Sequence, residues 1–272
     1  MSNERIAIIG GGNLGSAIAR GLVSAGVRQP QAITITRRTE EALEPFRKEG
    51  FVTTTDNAQA ADGAGVVLIA VRPKQVNAVL EAIAPVVESE RHVVISTATD
   101  VRIADIRQQL AEGVPVIRAM PNIGVAVGES MTCLSCGDGT PEEAKAVAVS
   151  VFSALGQTQF INEDQMTPAT ALCACGIAFF LRAIRAASQG GVQVGFHADE
   201  AIRLAAQTAK GAAELVLALG THPESLIDTV TTPLGVTIAG LNEMEHQGFS
   251  SALIRGIVES AEKARFLYEG KH

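Results

Sequence analysis

The chain has no tryptophan and one tyrosine, Tyr268, in 272 residues, and its aromatic fraction is 4%. So few aromatic rings leave little surface for stacking nucleic-acid bases. They also leave little scope for a tyrosine proton donor. An excess of positive charge is missing too: 22 Lys and Arg stand against 29 Asp and Glu, a formal net charge of −7. A nucleic-acid binder needs a basic face to neutralise phosphates, so no nucleic-acid partner is expected. Long hydrophobic runs are lacking as well. The most apolar stretch, Pro168 to Leu181, ends at Arg182. It falls short of the ~18–20 residues that span a bilayer, so it reads as a buried core helix, with no membrane partner. No secretory signal is evident: Met1 to Arg5 is polar, and the apolar stretch that follows breaks at Gly10-Gly11-Gly12.

Cysteine is scarce, with Cys133, Cys136, Cys173 and Cys175 making up the set. Without a secretory signal these read as reduced thiols in a cytoplasmic protein. A C-x-x-C beside a C-x-C raises the question of zinc. Cys133 and Cys136 fall on a strand pattern, and Cys173 and Cys175 on a helical one, where side chains two apart diverge. No metal site is expected, and all four read as small buried hydrophobes. What the chain does have is apolar content, 47%, with 19% charged residues, which excludes disorder. Its length suits one large domain or two small ones.

The two halves differ in texture. Up to about Ile161, short β-branched runs alternate with amphipathic stretches. Strands are expected at Ile6–Ile9, Ile33–Thr36, Val66–Val71, Val93–Ser96, Val116–Ala119, Met131–Cys136 and Thr158–Ile161. Helices are expected at Asn13–Ala25, Glu40–Lys48, Pro73–Val87, Val101–Leu110 and Pro141–Leu155. This alternation means βαβ units and a mainly parallel sheet, an α/β domain over 1–162. The wholly apolar Val66-Val67-Leu68-Ile69-Ala70 suits a central strand. Asn162-Glu163-Asp164 reads as a hinge and helix start. Beyond it only helical patterns remain, at Thr170–Ala187, Asp199–Leu219, Pro223–Asp228, Thr237–Gln247 and Ser250–Leu267. An all-α domain over 163–272 follows. Its surplus apolar surface points to packing against a second copy.

The first strand runs into Gly10-Gly11-Gly12-Asn13-Leu14-Gly15, a G-x-G-x-x-G that opens a helix. In that setting Gly10 permits the tight turn, Gly12 lets backbone approach a pyrophosphate, and Gly15 lets helix pack on strand. The anion would sit on free amides at the helix N-terminus. After the second strand, an NAD site would carry Asp or Glu for the ribose hydroxyl. This chain has Thr36-Arg37-Arg38-Thr39 instead. Arg37 and Arg38 offer fork-shaped donors to a 2′-phosphate, so NADPH is the preferred cofactor, with NADH as the alternative.

Three further segments complete a pattern: Val71-Arg72-Pro73, Arg118-Ala119-Met120-Pro121-Asn122, and Val230 to Leu241 followed by Met244-Glu245. In this order, behind the glycine loop, they make the chain resemble pyrroline-5-carboxylate reductase over almost its whole length. The resemblance implies a Rossmann-type dinucleotide-binding domain and a helical domain for substrate binding and dimerisation. It implies a homodimer, often assembled further into a homodecamer. The implied reaction reduces the cyclic imine 1-pyrroline-5-carboxylate to L-proline, the last step of proline biosynthesis. By motif, Gly10, Gly12, Asn13, Leu14 and Gly15 would hold the pyrophosphate, and Arg37 and Arg38 the adenosine phosphate. Asn57 would contact the adenosine portion, while Ala70, Val71 and Pro73 would border the cofactor. Met120, Pro121 and Asn122 would approach the nicotinamide. Thr232, Gly235 and Thr237 would bind substrate, and Thr232 and Thr237 are the candidate catalytic hydroxyls. A turn that opens a helix suits the substrate carboxylate, and Thr237 either caps that helix or donates to the imine nitrogen.

The chain departs from the family pattern at several points. Leu234 stands for a glycine. Cys173-Ala174-Cys175-Gly176-Ile177 stands for Ser-Gly-Ser-Gly-Pro, and Arg72 for the common lysine. No role is carried onto these residues, and ring size of the substrate stays open. Three alternatives therefore remain: reductase of a different cyclic imine carboxylate, hydroxyacid dehydrogenase-like oxidoreductase, and non-catalytic NADP-binding protein. A hydroxyacid dehydrogenase would carry a lysine on the first long helix of its second domain, whereas Thr170–Ala187 holds Arg182 and Arg185 and no lysine. The five histidines lie outside the matched motifs and read as structural.

Overall fold

A computed structural model describes residues 5–99 and 101–268 of the chain. Positions 1–4 of the polar N-terminus, and His272, lie outside the described residues. The chain groups into two compact units, one running up to Ala174 and joined by the chain from Ala261, the other Cys175–Ser260.

The first unit is built on an eight-stranded sheet: β1 (Ile6–Ile9), β2 (Ile33–Thr36), β3 (Val52–Thr54), β4 (Val66–Ile69), β5 (Val93–Ser96), β6 (Val116–Met120), β7 (Ser130–Cys136) and β8 (Gly156–Phe160). Their spatial order is β3-β2-β1-β4-β5-β6-β7-β8. All neighbours pair in parallel except β6 with β7. The order reverses between β1 and β4, so the chain leaves in opposite directions from these two strands. That opens a crevice at their carboxyl ends.

Side-chain alternation explains how both sheet faces are covered. Ile6, Ile8, Ile33, Ile35, Val66 and Leu68 face helices Asn13–Ser24 and Glu142–Ser153, which contribute Ile18, Leu22, Val151 and Phe152. The intervening Ala7, Ile9, Val67, Ile69 and Val94 face helices Asn57–Asp62, Val76–Ile83 and Ile103–Arg107. With both faces buried, β1 and β4 are apolar at every position. The central place expected for Val66-Val67-Leu68-Ile69 is the one it takes. Two short elements were not anticipated: edge strand Val52–Thr54 and helix Asn57–Asp62.

In the second unit, Gly176–Gln193 and Ala198–Leu219 form a helical hairpin, followed by Pro223–Thr229, Val236–His246 and the part of helix Phe249–Tyr268 up to Ser260. Among the described residues of 175–260, only Gly176, Ser188 and Ala201 are buried. The expectation of a buried core helix at Pro168–Leu181 is therefore corrected. Helical structure runs without a break from Glu163 to Gln193, longer than the apolar stretch itself. By length and composition it could cross a membrane, yet Phe180 and Leu181 are 59% and 52% exposed. Too few elements pack on it within one chain to cover that surface.

The helical half begins on an ion pair between a buried arginine and a half-buried glutamate. Arg118, on β6, is 4% exposed. It donates to Glu163 Oε1 at 3.0 Å and to the Thr99 carbonyl at 2.7 Å. The same carboxylate oxygen accepts from the Ile103 amide at 2.8 Å, at the start of a helix. Glu163 thus ties sheet, loop and helix start together. Removing one partner of a buried pair leaves an uncompensated charge, so Glu163→Ala is expected to lower stability by about 3 kcal/mol in urea unfolding. Glu163→Gln keeps an acceptor and should cost about 1–2 kcal/mol.

Candidate active site

The glycine loop shows why each glycine is there. Gly10 has φ +108°, and a Cβ on it would stand 2.6 Å from the Ala70 carbonyl oxygen. A Cβ on Gly15 would stand 2.1 Å from the Gly10 carbonyl oxygen. Strand β1, the turn, and helix Asn13–Ser24 are thus in backbone contact. Gly12 differs: a Cβ there would meet only Arg37 Nη1, at 3.9 Å. Gly12 is also the helix N-cap, with no side-chain oxygen engaging the first amides. Closed at Gly10 and Gly15 and open at Gly12, the loop presents free amides to an anion beside the helix dipole.

Strand β2 is tied to this loop. The Gly10 amide donates to Thr36 Oγ1 at 3.2 Å, and the Gly11 amide to the Thr36 carbonyl at 2.8 Å. Arg37 Nη1 donates to the Gly11 carbonyl at 2.7 Å, which holds its guanidinium over the loop. Arg38 is exposed and makes no hydrogen bond among the described residues. Beyond β3, Asp56 caps the next helix by accepting from the Ala58 and Gln59 amides, and this places Asn57, half-buried, in its first turn.

At the end of β4, the Ala70 amide donates to the Ile9 carbonyl at 2.8 Å, so Ala70 and Val71 lie against the glycine turn. Pro73 is exposed and opens a short 3₁₀ turn. Thr97, after β5 and 7% exposed, donates through Oγ1 to the Ile69 carbonyl at 3.1 Å. It borders the same crevice and was not singled out from sequence, because no motif contains it. At the end of β6, Met120 and Pro121 are buried. Asn122 is held on three sides. Its Oδ1 accepts from the Gly124 amide at 2.8 Å, its Nδ2 donates to the Cys173 carbonyl at 3.2 Å, and its own amide donates to Ser130 Oγ at 3.1 Å. Every proposed cofactor residue thus lies at the carboxyl end of a strand in the first unit. A cavity of about 470 Å3 at the amino end of β6, lined by Arg107, Val114, Asp138 and Thr140 among others, includes none of them.

Thr232, Gly235 and Thr237 belong to the second unit. The Gly235 amide donates to the Thr232 carbonyl at 2.9 Å, closing a turn with Pro233 and Leu234 at its centre. Leu234 has φ +60° and is fully exposed. A branched residue held left-handed costs roughly 1–2 kcal/mol and gains no packing here. The helix that follows starts at Val236, with Gly235 as N-cap and no side-chain cap. Thr237 is therefore one residue inside the helix and is not its cap, which corrects that alternative. Its hydroxyl is exposed at the helix N-terminus.

The other candidates also found places. His92 is 1% exposed, with Nε2 at 3.2 Å from the Ala61 carbonyl, and His222 caps helix Pro223–Thr229. Among the cysteines only Cys133 is buried; Cys136, Cys173 and Cys175 are half-buried, against the expectation of four buried hydrophobes. Cys173 and Cys175 sit in a π-helical turn, Thr170–Cys175. Among the described residues no cluster of three or more His, Cys, Asp or Glu could hold a metal ion.

Comparison with known proteins agrees with this geometry. A family profile described as pyrroline-5-carboxylate reductase dimerisation matches residues 163–267. Another, described as NADP oxidoreductase coenzyme F420-dependent, matches residues 5–100. Pyrroline-5-carboxylate reductase 1 of Dictyostelium discoideum is 49% identical over 98% of the chain, which spans 50% of that relative's length. Pyrroline-5-carboxylate reductase 2 of the same organism is 46% identical over 97% of this chain and 93% of its own. The solved structure of a pyrroline-5-carboxylate reductase from Coxiella burnetii superposes with a TM-score of 0.88 at 30% identity, covering 97% of this chain and 98% of that one. The chain belongs to the pyrroline-5-carboxylate reductase family.

The contrast between glycines can be measured. Gly15→Ala drives a methyl into backbone, and a loss of about 2–3 kcal/mol is expected in urea unfolding. Gly12→Ala meets open space, and its stability should stay within about 0.5 kcal/mol of the parent.

Proposed function

We propose that this family member reduces 1-pyrroline-5-carboxylate to L-proline, the last step of proline biosynthesis, with NADPH preferred and NADH the alternative. The observation that carries the proposal is the glycine loop, closed at Gly10 and Gly15 and open at Gly12, with Arg37 held over it. NADPH, when bound, supplies the hydride that the imine carbon accepts.

The chain's own residues do the rest. The amides from Gly12 to Gly15, with Asn13 and Leu14 between them, hold the pyrophosphate. Arg37 and Arg38 meet the 2′-phosphate, and Asn57 the adenosine portion. Ala70, Val71 and Pro73 wall the crevice, while Met120, Pro121 and Asn122 set the nicotinamide side. Asn122 suits that task because three hydrogen bonds fix its position. In the second unit, the Thr232–Gly235 turn and the amides opening helix Val236–His246 receive the substrate carboxylate. A protonated imine is already electrophilic, so alignment matters more than a strong acid. Thr237, Thr232 and water are the proton donors available.

In this reading residues 1–162 form the dinucleotide-binding domain and 163–272 the substrate-binding and dimerisation domain. The dimerisation profile, which begins at 163, supports that division. Self-association as a homodimer, with homodecamer as the larger assembly, answers the scarcity of buried residues in 175–260. It also gives the apolar run Glu163–Gln193 a protein partner in place of a lipid one, in a cytoplasmic enzyme with no nucleic-acid or membrane partner.

NADPH oxidation with 1-pyrroline-5-carboxylate, beside the six-membered imine and a 3-hydroxyacid panel, tests the reaction. Turnover confined to another substrate, or tight NADPH binding without turnover of any, would overturn it. Two variants test the residues. Arg38→Ala should raise KM for NADPH about tenfold and leave NADH unchanged, since a lost charge-assisted bond is worth about 1.5–3 kcal/mol. Arg37→Ala should impair both cofactors, because Arg37 also holds the Gly11 carbonyl. Thr237→Ala should lower kcat/KM about tenfold or more, with urea stability within about 0.5 kcal/mol of the parent, since no cap is lost.

A further inference from the structure

Two thiols lie behind the Met120–Asn122 segment and take no part in the chemistry above. Cys133, on β7, stands opposite Met120 in the antiparallel ladder and is 5% exposed. Cys173, in the π-helical turn, is half-buried, and its backbone carbonyl is the acceptor of the Asn122 amide group. The two Sγ atoms are 3.9 Å apart, and Met120, Cys133, Met166 and Ala169 form a small core with Cys173 packed against it.

We propose that Cys133 and Cys173 are a reversible redox pair, closed to a disulfide by hydrogen peroxide. The Cys173 thiolate attacks one peroxide oxygen, the O–O bond breaks, and the departing hydroxide takes up a proton as water. This leaves a sulfenic acid on Cys173. Cys133 loses its proton and attacks the Cys173 sulfur. The S–O bond breaks, a second water leaves, and the disulfide is formed. Two thiols and one peroxide thus give one disulfide and two waters, and a dithiol reductant reverses the change. The division of labour follows from the site. The Cys133 thiol donates to Cys173 and holds it down at about 7, while that contact and burial raise Cys133. Cys173 is therefore the more exposed and more readily ionised attacker, and Cys133 the resolving thiol.

Closure has a structural consequence. A disulfide brings the sulfurs to about 2.05 Å, so β7 and the π turn must approach each other by roughly 2 Å or the side chains must rotate. The π turn carries the carbonyl that fixes Asn122, and β7 carries the neighbour of Met120. Oxidation thus disturbs the segment assigned to the nicotinamide, a consequence that rests on the cofactor reading above; the disulfide does not.

The full-length reduced protein is treated with hydrogen peroxide, alkylated, digested and mapped by mass spectrometry without reduction. A peptide joining Cys133 to Cys173 is expected, lost with dithiothreitol and absent from Cys173→Ser and from Cys133→Ala. NADPH affinity, read by cofactor fluorescence, should fall roughly fivefold on oxidation of the parent and stay unchanged in Cys173→Ser. Oxidation to sulfinic acid alone, or bridges to Cys136 or Cys175 instead, would overturn the pair. The bridge with unchanged NADPH affinity would overturn its coupling to Met120–Asn122. The peptide map decides the disulfide whether or not NADPH binds, and Cys173→Ser, at the half-buried position, keeps the comparison valid if Cys133→Ala does not fold.

Discussion

The Gly10 carbonyl and the Cα of Gly15 leave no room for a side chain between them, and much of the first unit is arranged around that contact. It lets helix Asn13–Ser24 start directly behind β1, so that Ile18, Ala19 and Leu22 reach the sheet. The same close packing leaves the helix's first amides free, because the N-cap is glycine and brings no side-chain oxygen to them. Strand β1 lies between β2 and β4, where the sheet order reverses. The contact therefore places a helix N-terminus with free amides at the crevice where the strand order reverses. Stability and binding geometry draw on the same few backbone atoms.

Charge works on the same local scale. The chain is acidic overall, at −7, yet the ligands proposed for it are anions. Attraction comes from helix N-termini and from Arg37 and Arg38. Arg118, which belongs to the same family motif as Asn122, is used differently. Buried and paired with Glu163, it holds the end of β6 against the start of the helical half. Asn122 follows the strand that this pair anchors. A guanidinium in a family motif is here a structural brace, while Asn122, four residues on, is the residue proposed for the nicotinamide side.

Much of this was legible because it is periodic. The apolar runs at Ile6–Ile9 and Val66–Ala70 identified β1 and β4, the latter ending at Ile69 and not at the expected Val71, and the glycine spacing placed the loop. Edge strand Val52–Thr54 was missed because it is three residues long and Val52 is 45% exposed, so no buried pattern marks it. Helix Asn57–Asp62 was missed for a related reason: its signal is one capping aspartate before a turn and a half of helix. The π turn at Thr170–Cys175 was not legible, since an extra residue in a helical turn leaves the apolar pattern almost unchanged. The proximity of Cys133 and Cys173 depends on that local turn and on β7 pairing antiparallel with β6, and neither is marked in the apolar pattern. Family motifs marked the turn proposed for substrate, but only the backbone shows that Leu234 holds a left-handed conformation.

The two units do not stand on equal terms. The first covers both faces of its sheet. The second has three buried residues among those described between 175 and 260, and Leu217, Leu219 and Val236 are 73%, 60% and 91% exposed. Apolar surface of that kind gives no stability until something covers it. Beyond the packing of Gly176–Gln193 on Ala198–Leu219, covering that surface by association would add to the order of the unit that carries Thr232, Gly235 and Thr237. The groups proposed to hold the nucleotide lie on the first unit. On the proposed assignment, cofactor binding draws on the first unit, whereas the proposed substrate turn, with Leu234 left-handed, is mounted on helices whose apolar faces are largely uncovered in a single chain.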